Sequence, residues 1–136
     1  MTAEYQILIR EHHLDSYGHV NNATYLNLFE EARWEACTTR GYGYKKVHET
    51  GQGPVILEVQ MKFLKELTLR ETVTVTLELI SQQGKISHLF QKMIKENGQV
   101  ACELKLVAGF FDLKARRLLV PSEEWQAVLG PPRSPT

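Results

Sequence analysis

The densest cluster of ionisable and turn-forming side chains is His12, His13, Leu14, Asp15, Ser16, Tyr17, Gly18, His19, Val20, Asn21 and Asn22. It ends where a helical periodicity begins, and that position suggests chemistry. The first turn of a helix exposes unpaired N–H groups carrying about half a positive charge, so a carbonyl oxygen lodged there is polarised and its oxyanion stabilised. A carboxylate nearby, Asp15, can attack the carbonyl carbon or activate a water to do so. Gly18 lets backbone and ligand approach closely. The plain alternatives are an Asx turn at Asp15 and a helix cap at Asn21 or Asn22. His12, His13 and His19 make no metal site, because three or four ligands in fixed geometry are needed and no Cys or second His cluster completes the set.

The elements that must position this loop are legible on either side. Residues 5 to 10 (Tyr5, Gln6, Ile7, Leu8, Ile9, Arg10) are apolar and partly β-branched, which predicts a strand. Tyr25, Leu28, Phe29, Ala32 and Ala36 recur at helical spacing, which makes residues 23 to 39 an amphipathic helix. Asn27, Glu30, Glu31, Arg33 and Glu35 fill much of the rest and read as its solvated face. Gly41 and Gly43 end the helix, residues 42 to 53 have too little periodicity to assign, and Thr50 to Pro54 reads as a turn.

From Val55 the period changes to two. Leu57, Val59, Met61 and Phe63 share one face, and Glu58, Gln60 and Lys62 share the wet face of a first central strand. Residues 71 to 80 repeat the pattern, Gln82-Gln83-Gly84 supplies a turn, and the next strand spans 86 to 95. There His88 falls in register with Ile86 and Phe90 and reads as a core or interface histidine. Asn97-Gly98 predicts a type I′ hairpin, with both residues at positive φ, leading into Val100, Cys102, Leu104, Leu106, Ala108 and Phe110. A short strand at 118 to 120 precedes Ser122, a cap for a last helical turn with Glu123 and Glu124 at its positive end. Residues 131 to 136 read as a frayed tail.

One strand, one long helix and four strands joined by tight turns give an α+β domain with an antiparallel sheet, a single domain over 1 to 136. A helix offers a stripe about 10 Å wide, whereas four or five strands spaced ~4.8 Å apart span twice that. The sheet therefore curls around the helix and buries its remainder against a second subunit. The 136 residues are 43% hydrophobic and 24% charged, an ordinary globular composition that excludes fibrous and disordered classes. Sixteen basic residues balance sixteen acidic ones, so no overall field gathers nucleic acid or an acidic membrane. No apolar run approaches the roughly 20 residues that cross a bilayer, and Glu4 sits where a signal peptide is basic, so a cytoplasmic protein is expected. Cys37 and Cys102 lack CxxC spacing and read as core thiols.

The stretch from Asp15 through Gly18, His19, Val20, Asn21 and Asn22 to Tyr25, and on to Glu30-Glu31-Ala32-Arg33, resembles the signature of the hotdog-fold acyl-CoA thioesterases of the 4-hydroxybenzoyl-CoA thioesterase type. The His-Val-Asn-Asn wording is most similar to the bacterial fatty acyl-CoA branch. The resemblance extends loosely over about the first 125 residues. It implies a hotdog fold, one long helix wrapped by a curled sheet of about five strands, and the hydrolysis of medium- to long-chain acyl-CoA. It implies that Asp15 is the catalytic nucleophile or general base, that the N–H of Asn22 polarises the thioester carbonyl, and that His19 and Tyr25 line the pocket. It implies a homodimer or homotetramer with sites built from two subunits, and neither metal nor cofactor.

Ser16 and His19 depart from members with Pro after the Asp and an apolar residue after the Gly, which argues against an aromatic acyl group. Tyr17, Leu26, Phe29 and Trp34 are available to set the end of the acyl channel, and Glu58 and Gln60 either face solvent or line that channel. Lys62, Lys65, Lys85, Arg116 and Arg117 are candidates for the phosphates of coenzyme A, Arg116-Arg117 in a hairpin foremost. The rivals are an acyl carrier protein thioesterase, a non-catalytic acyl-binding domain, and a second hotdog branch with a catalytic Glu on the helix (Glu30, Glu31 or Glu35). A hydratase fits poorly, because it pairs an Asp with a His five residues on.

Overall fold

Residues 3–133 are described by a computed structural model. The period-two segments build one six-stranded antiparallel sheet: β1 (Ala3–Leu8), β2 (Gln52–Phe63), β3 (Thr72–Gln83), β4 (Ile86–Ile94), β5 (Val100–Asp112) and β6 (Arg117–Leu119). The strands run in the order β1-β3-β4-β5-β2, and β6 pairs with the far end of β5. The long helix α1 (Asn22–Thr39) packs on β1 and β3. Its core stripe of Tyr25, Leu28, Phe29 and Ala32 is buried against the inner face. The hotdog arrangement of the thioesterases is therefore present.

β2 is an edge strand, not a central one: it pairs with β5 alone, which also tolerates Pro54, a residue that cannot donate to a ladder. It begins at Gln52 rather than Val55, because only Gly51 (φ 70) is needed to turn the chain. A bulge between Ile56 and Glu58 corrects the expected face: Ile56, Val59, Met61 and Phe63 stand opposite the buried Ala108, Leu106, Leu104 and Cys102, and Leu57 is the extra residue.

A short helix α2 (Tyr44–Thr50), unassigned from sequence, precedes β2; it carries no fully buried residue, so no apolar stripe marked it. The last helix α3 (Glu123–Leu129) is capped by Ser122, whose Oγ accepts from the Trp125 N–H at 3.2 Å. The turn after β3 has positive φ at Gly84, as a two-residue hairpin needs. The Asn97-Gly98 hairpin forms, but not as type I′. Only Gly98 has positive φ, and Gly98 N–H donates to Lys95 O while Lys95 N–H donates to Gln99 O, the three-residue loop that ends in a bulge.

On β4 the inward row is Ser87, Leu89, Gln91 and Met93, so His88 lies half-buried on the outer face with Ile86 and Phe90 and is not in the core. Arg33 departs from its expected solvated face: it is half-buried and donates to Gln91 Oε1 at 2.9 Å, while Gln91 Nε2 donates to Phe29 O. Burial holds its guanidinium below the ordinary arginine range. Cys37 and Cys102 are buried, and burial pushes their thiols up to about 11 and about 12. In the expected tail, Arg133 N–H donates to Leu79 O and its guanidinium pairs with Glu78, while residues 134 to 136 lie outside the described range. Among the described residues no helix is long and apolar enough to cross a membrane.

Candidate active site at the start of the long helix

The loop from Leu14 to Val20 is a closed turn. Its ends form an isolated antiparallel bridge, Asp15 N–H donates to His19 O at 2.8 Å, and Gly18 N–H donates to Asp15 O at 3.0 Å. Asp15 Oδ1 accepts from the N–H groups of Tyr17 (2.9 Å) and His19 (3.2 Å), so the Asx-turn role is real. It occupies one carboxylate oxygen. Among the described residues nothing donates to Oδ2, and Asp15 as a whole residue is half-buried. Asn21 caps α1, its Oδ1 accepting from Ala23 N–H at 2.9 Å, while the Thr24 and Tyr25 N–H groups donate to Asn21 O. That leaves the N–H of Asn22, the first residue of α1, without an acceptor among the described residues, as helix geometry requires.

Asp15, His19, Asn21, Asn22 and Tyr25 border one open cleft of about 530 Å³, with Val20 at its base. Its other wall was not anticipated, apart from Lys65 as a phosphate candidate: Phe63, Leu64, Lys65 and Glu66, where β2 ends beside the start of α1. Phe63 meets Tyr25 edge-on at 5.1 Å between ring centroids, and burial pushes the Tyr25 phenol above its ordinary range. His19 Nε2 lies 3.1 Å from Glu66 Oε1. Nothing local in Phe63 to Glu66 announced this role, which arises from the packing of β2's end against Tyr25. Asp15 and the first residue of α1 thus border the same cleft.

The remaining candidates do not converge there. Tyr17 is 83% exposed at the tip of the loop, and Gly18 (φ 78) faces open space. Glu58 and Gln60 border a depression on the outer face of the sheet with His88 and Lys105. Lys62 stands opposite Glu103 on the same face. Lys85 tips the β3–β4 hairpin, and Arg116 stacks over the Phe111 ring at 5.2 Å beside Arg117 in the β5–β6 hairpin. The ladder registers put these hairpins at the end of the sheet opposite Asp15: Gly109 pairs with Ile86, whereas Cys102 pairs with Phe63. Of the channel residues, Phe29 is fully buried and Leu26 half-buried, while Trp34 is 39% exposed.

Comparison with known proteins gives a consistent picture. The family model of the thioesterase-like superfamily matches residues 9–129. The long-chain acyl-CoA thioesterase FadM of Escherichia coli K12 is 32% identical over 116 residues, 84% of this chain and 86% of that protein. The chloroplastic acyl-acyl carrier protein thioesterase ATL3 of Arabidopsis thaliana is 29% identical over 122 residues, 88% of this chain and 63% of that one. Among solved structures, the probable thioesterase YbaW of Escherichia coli superposes with a TM-score of 0.80 at 30% identity, over 93% of this chain and 95% of that one. The protein SAV2348 of Staphylococcus aureus, solved in complex with CoA, superposes at 0.87 with 22% identity, over 95% and 82% of the two chains, a likeness of fold.

Proposed function

The chain belongs to the thioesterase-like superfamily and is a thioesterase; on that premise we propose that it hydrolyses acyl-CoA thioesters at the Asp15 cleft. The single observation that carries this reading is that Asp15, whose Oδ2 has no donor among the described residues, and Asn22, whose N–H has no acceptor among them, border one cleft. The thioester oxygen accepts from that amide. Asp15 then adds to the carbonyl carbon, or takes a proton from a water that adds, and the C–S bond breaks to release coenzyme A as thiolate. If Asp15 adds directly, water cleaves the resulting anhydride and the carboxylate is restored. One helix-terminal donor contributes ~3 kcal/mol and a positioned base ~10² to 10⁴ in rate, which suffices for a thioester. His19, tied to Glu66, walls the cleft beside the reacting atoms, and Tyr25 with Phe63 gives the acyl chain an apolar entrance.

The edge strand supports a homodimer. β2 leaves Ile56, Leu57, Val59 and Phe63 between 38% and 48% exposed along an unpaired 12-residue edge, a surface that a lone sheet does not leave open. Antiparallel pairing of two such edges sets the Gln52 end of one copy against the Phe63 end of the other. The Arg116-Arg117 hairpin of one subunit then approaches the cleft of its partner, which reconciles their distance from Asp15 with a role at the coenzyme A phosphates.

Thiol release from a series of acyl-CoA substrates tests the reading. Asp15→Ala is expected to lose at least about two decades of turnover on the general-base magnitude; turnover near the parental rate removes Asp15 from the mechanism. A carrier-protein-borne acyl group is the second reading, favoured by the likeness to the chloroplastic enzyme. Competing the two thioesters and comparing kcat/KM separates them.

A further inference from the structure

One charge pair joins the two walls of the cleft. His19 Nε2, on the Asp15 loop, lies 3.1 Å from Glu66 Oε1, on the segment that follows β2. The two side chains are 61% and 60% exposed, and an ion pair so open to water adds little to stability. Both backbones are nonetheless fixed. His19 O accepts from Asp15 N–H at 2.8 Å, and His19 N–H donates to Asp15 Oδ1 at 3.2 Å. On the facing wall the Leu64 and Lys65 N–H groups both donate to Ala101 O, Lys95 Nζ donates to Glu66 O, and Leu67 is buried. The fold thus holds in one place a pair that stability does not account for.

The pairing decides where the imidazole carries its hydrogen. A carboxylate only accepts, so the Nε2 that meets Glu66 bears the hydrogen of the neutral ring and Nδ1 keeps a lone pair. Among the described residues nothing donates to that Nδ1. The other groups at the cleft are poorer proton acceptors. Asp15 Oδ1 is taken by two amides, Lys65 is a cation, and burial pushes the Tyr25 phenol up. Imidazole as a class is about two pKa units more basic than a carboxylate, and an imidazolium formed at His19 faces the Glu66 anion.

We propose that His19 is the base for the water step of hydrolysis and that Glu66, across the cleft, is its positioning residue. This rests on the hydrolysis assigned to the Asp15 cleft and gives Asp15 the nucleophilic share. Asp15 Oδ2 adds to the acyl carbon and the C–S bond breaks, releasing coenzyme A as thiolate and leaving an anhydride. A water oxygen then adds to the acyl carbon while one of its protons passes to His19 Nδ1. The bond from that carbon to Asp15 breaks, the free acid leaves, and the Asp15 carboxylate is restored. The imidazolium opposite Glu66 gives its proton to solvent.

Rapid-mixing measurement of thiol release from an acyl-CoA tests the two steps apart. His19→Gln slows the second step and not the first, so a burst of about one thiol per site is expected, followed by turnover lower by about 10² or more. Release without a burst, or steady turnover near the parental rate, overturns the proposal. Glu66→Gln keeps the shape and removes the charge. The remaining charged and titratable neighbours are Asp15 on the loop, Lys65, Tyr25 on α1, and Lys95, whose Nζ also pairs with Glu71, and all are left in place. The acidic limb of kcat against pH is expected to move to lower pH, because the imidazolium has lost its anion. An unmoved limb, with or without a fall in melting temperature, makes the pair structural and overturns the proposal. Asp15→Asn at parental turnover defeats the cleft reading itself, whereas inactive Asp15→Asn beside a burst-free His19→Gln defeats the water step alone.

Discussion

At its first turn α1 borders an open cleft, most of whose side chains are half-buried or exposed, while just past its last turn the chain runs into an aromatic cluster with almost no exposed surface. Tyr42 meets Trp125 and Phe110 edge-on, with ring centroids 5.3 and 6.0 Å away, and Phe110 stacks on Trp125 at 5.8 Å. The Tyr42 hydroxyl donates to Gln52 O, and Arg40 Nη1 donates to Val128 O at 2.6 Å. Among the described residues no fully buried side-chain nitrogen or oxygen lacks a hydrogen-bond partner, whereas the other end keeps Asp15 Oδ2 and the Asn22 N–H free of protein partners. Leaving a donor and an acceptor open costs little where water can reach them and much where it cannot. One helix therefore adjoins a closed aromatic cluster at one end and leaves its first N–H open to the cleft at the other.

Substitutions at the two ends should separate stability from turnover. Trp125→Ala, which removes a buried ring from the cluster, is expected to cost ~3 to 5 kcal/mol, read as the shift in urea unfolding. An effect below about 1 kcal/mol would mean that the aromatic end is not the anchor. Asp15→Asn keeps an oxygen for the Tyr17 and His19 amides, so it should lose about 10² or more in kcat with its melting temperature nearly unchanged. Loss of stability in step with loss of activity would make Asp15 a turn former only.

Asn21→Ala, which takes away the cap beside the cleft, is expected to cost about 1 kcal/mol of stability. It should lower kcat as well, because the Asn22 N–H loses its fixed direction. The smallest effect is one of pH. His13 Nδ1 accepts from the Arg10 N–H at 2.9 Å, and burial holds the imidazole below its ordinary range. The folded state therefore favours the neutral ring. This contribution is present above the unfolded pKa of about 6.5 and is lost as pH falls through the lowered folded value. Thermal melts of His13→Gln should show a shallower decline over that interval than the parent; parallel curves would exclude His13 as its source.

How much could be read in advance depended on distance along the chain. The helix from Asn22 to Thr39 stood out because its apolar stripe repeats every third or fourth residue, and the hairpins at Gly84 and Gly98 because glycine marks a positive φ. Asp15 and Asn22 could be placed near one another because they lie seven residues apart, on a short loop and on the helix start it leads into. Phe63 and Glu66 were not, since only the packing of β2's end on Tyr25 brings them to the cleft. β2 looked central because alternation in sequence is the same for an edge strand and an inner one, and the bulge at Leu57 reversed its face at a point no residue type announced. The basic residues were identified by charge alone, which says nothing about the end of the sheet they occupy.

The sequence by itself determined the local conformations: the cap at Asn21, the Asx turn at Asp15, the helix behind them and the alternation of every strand. These depend on dihedral preferences and hydrogen bonds within a few residues, and neighbours in the chain supply them. The tertiary structure alone decided that β2 lies at the edge and that its Phe63 end meets the start of α1 at the cleft. Backbone N–H and C=O groups are identical in every strand, so which strands pair is settled only when the whole set of side chains is packed at once.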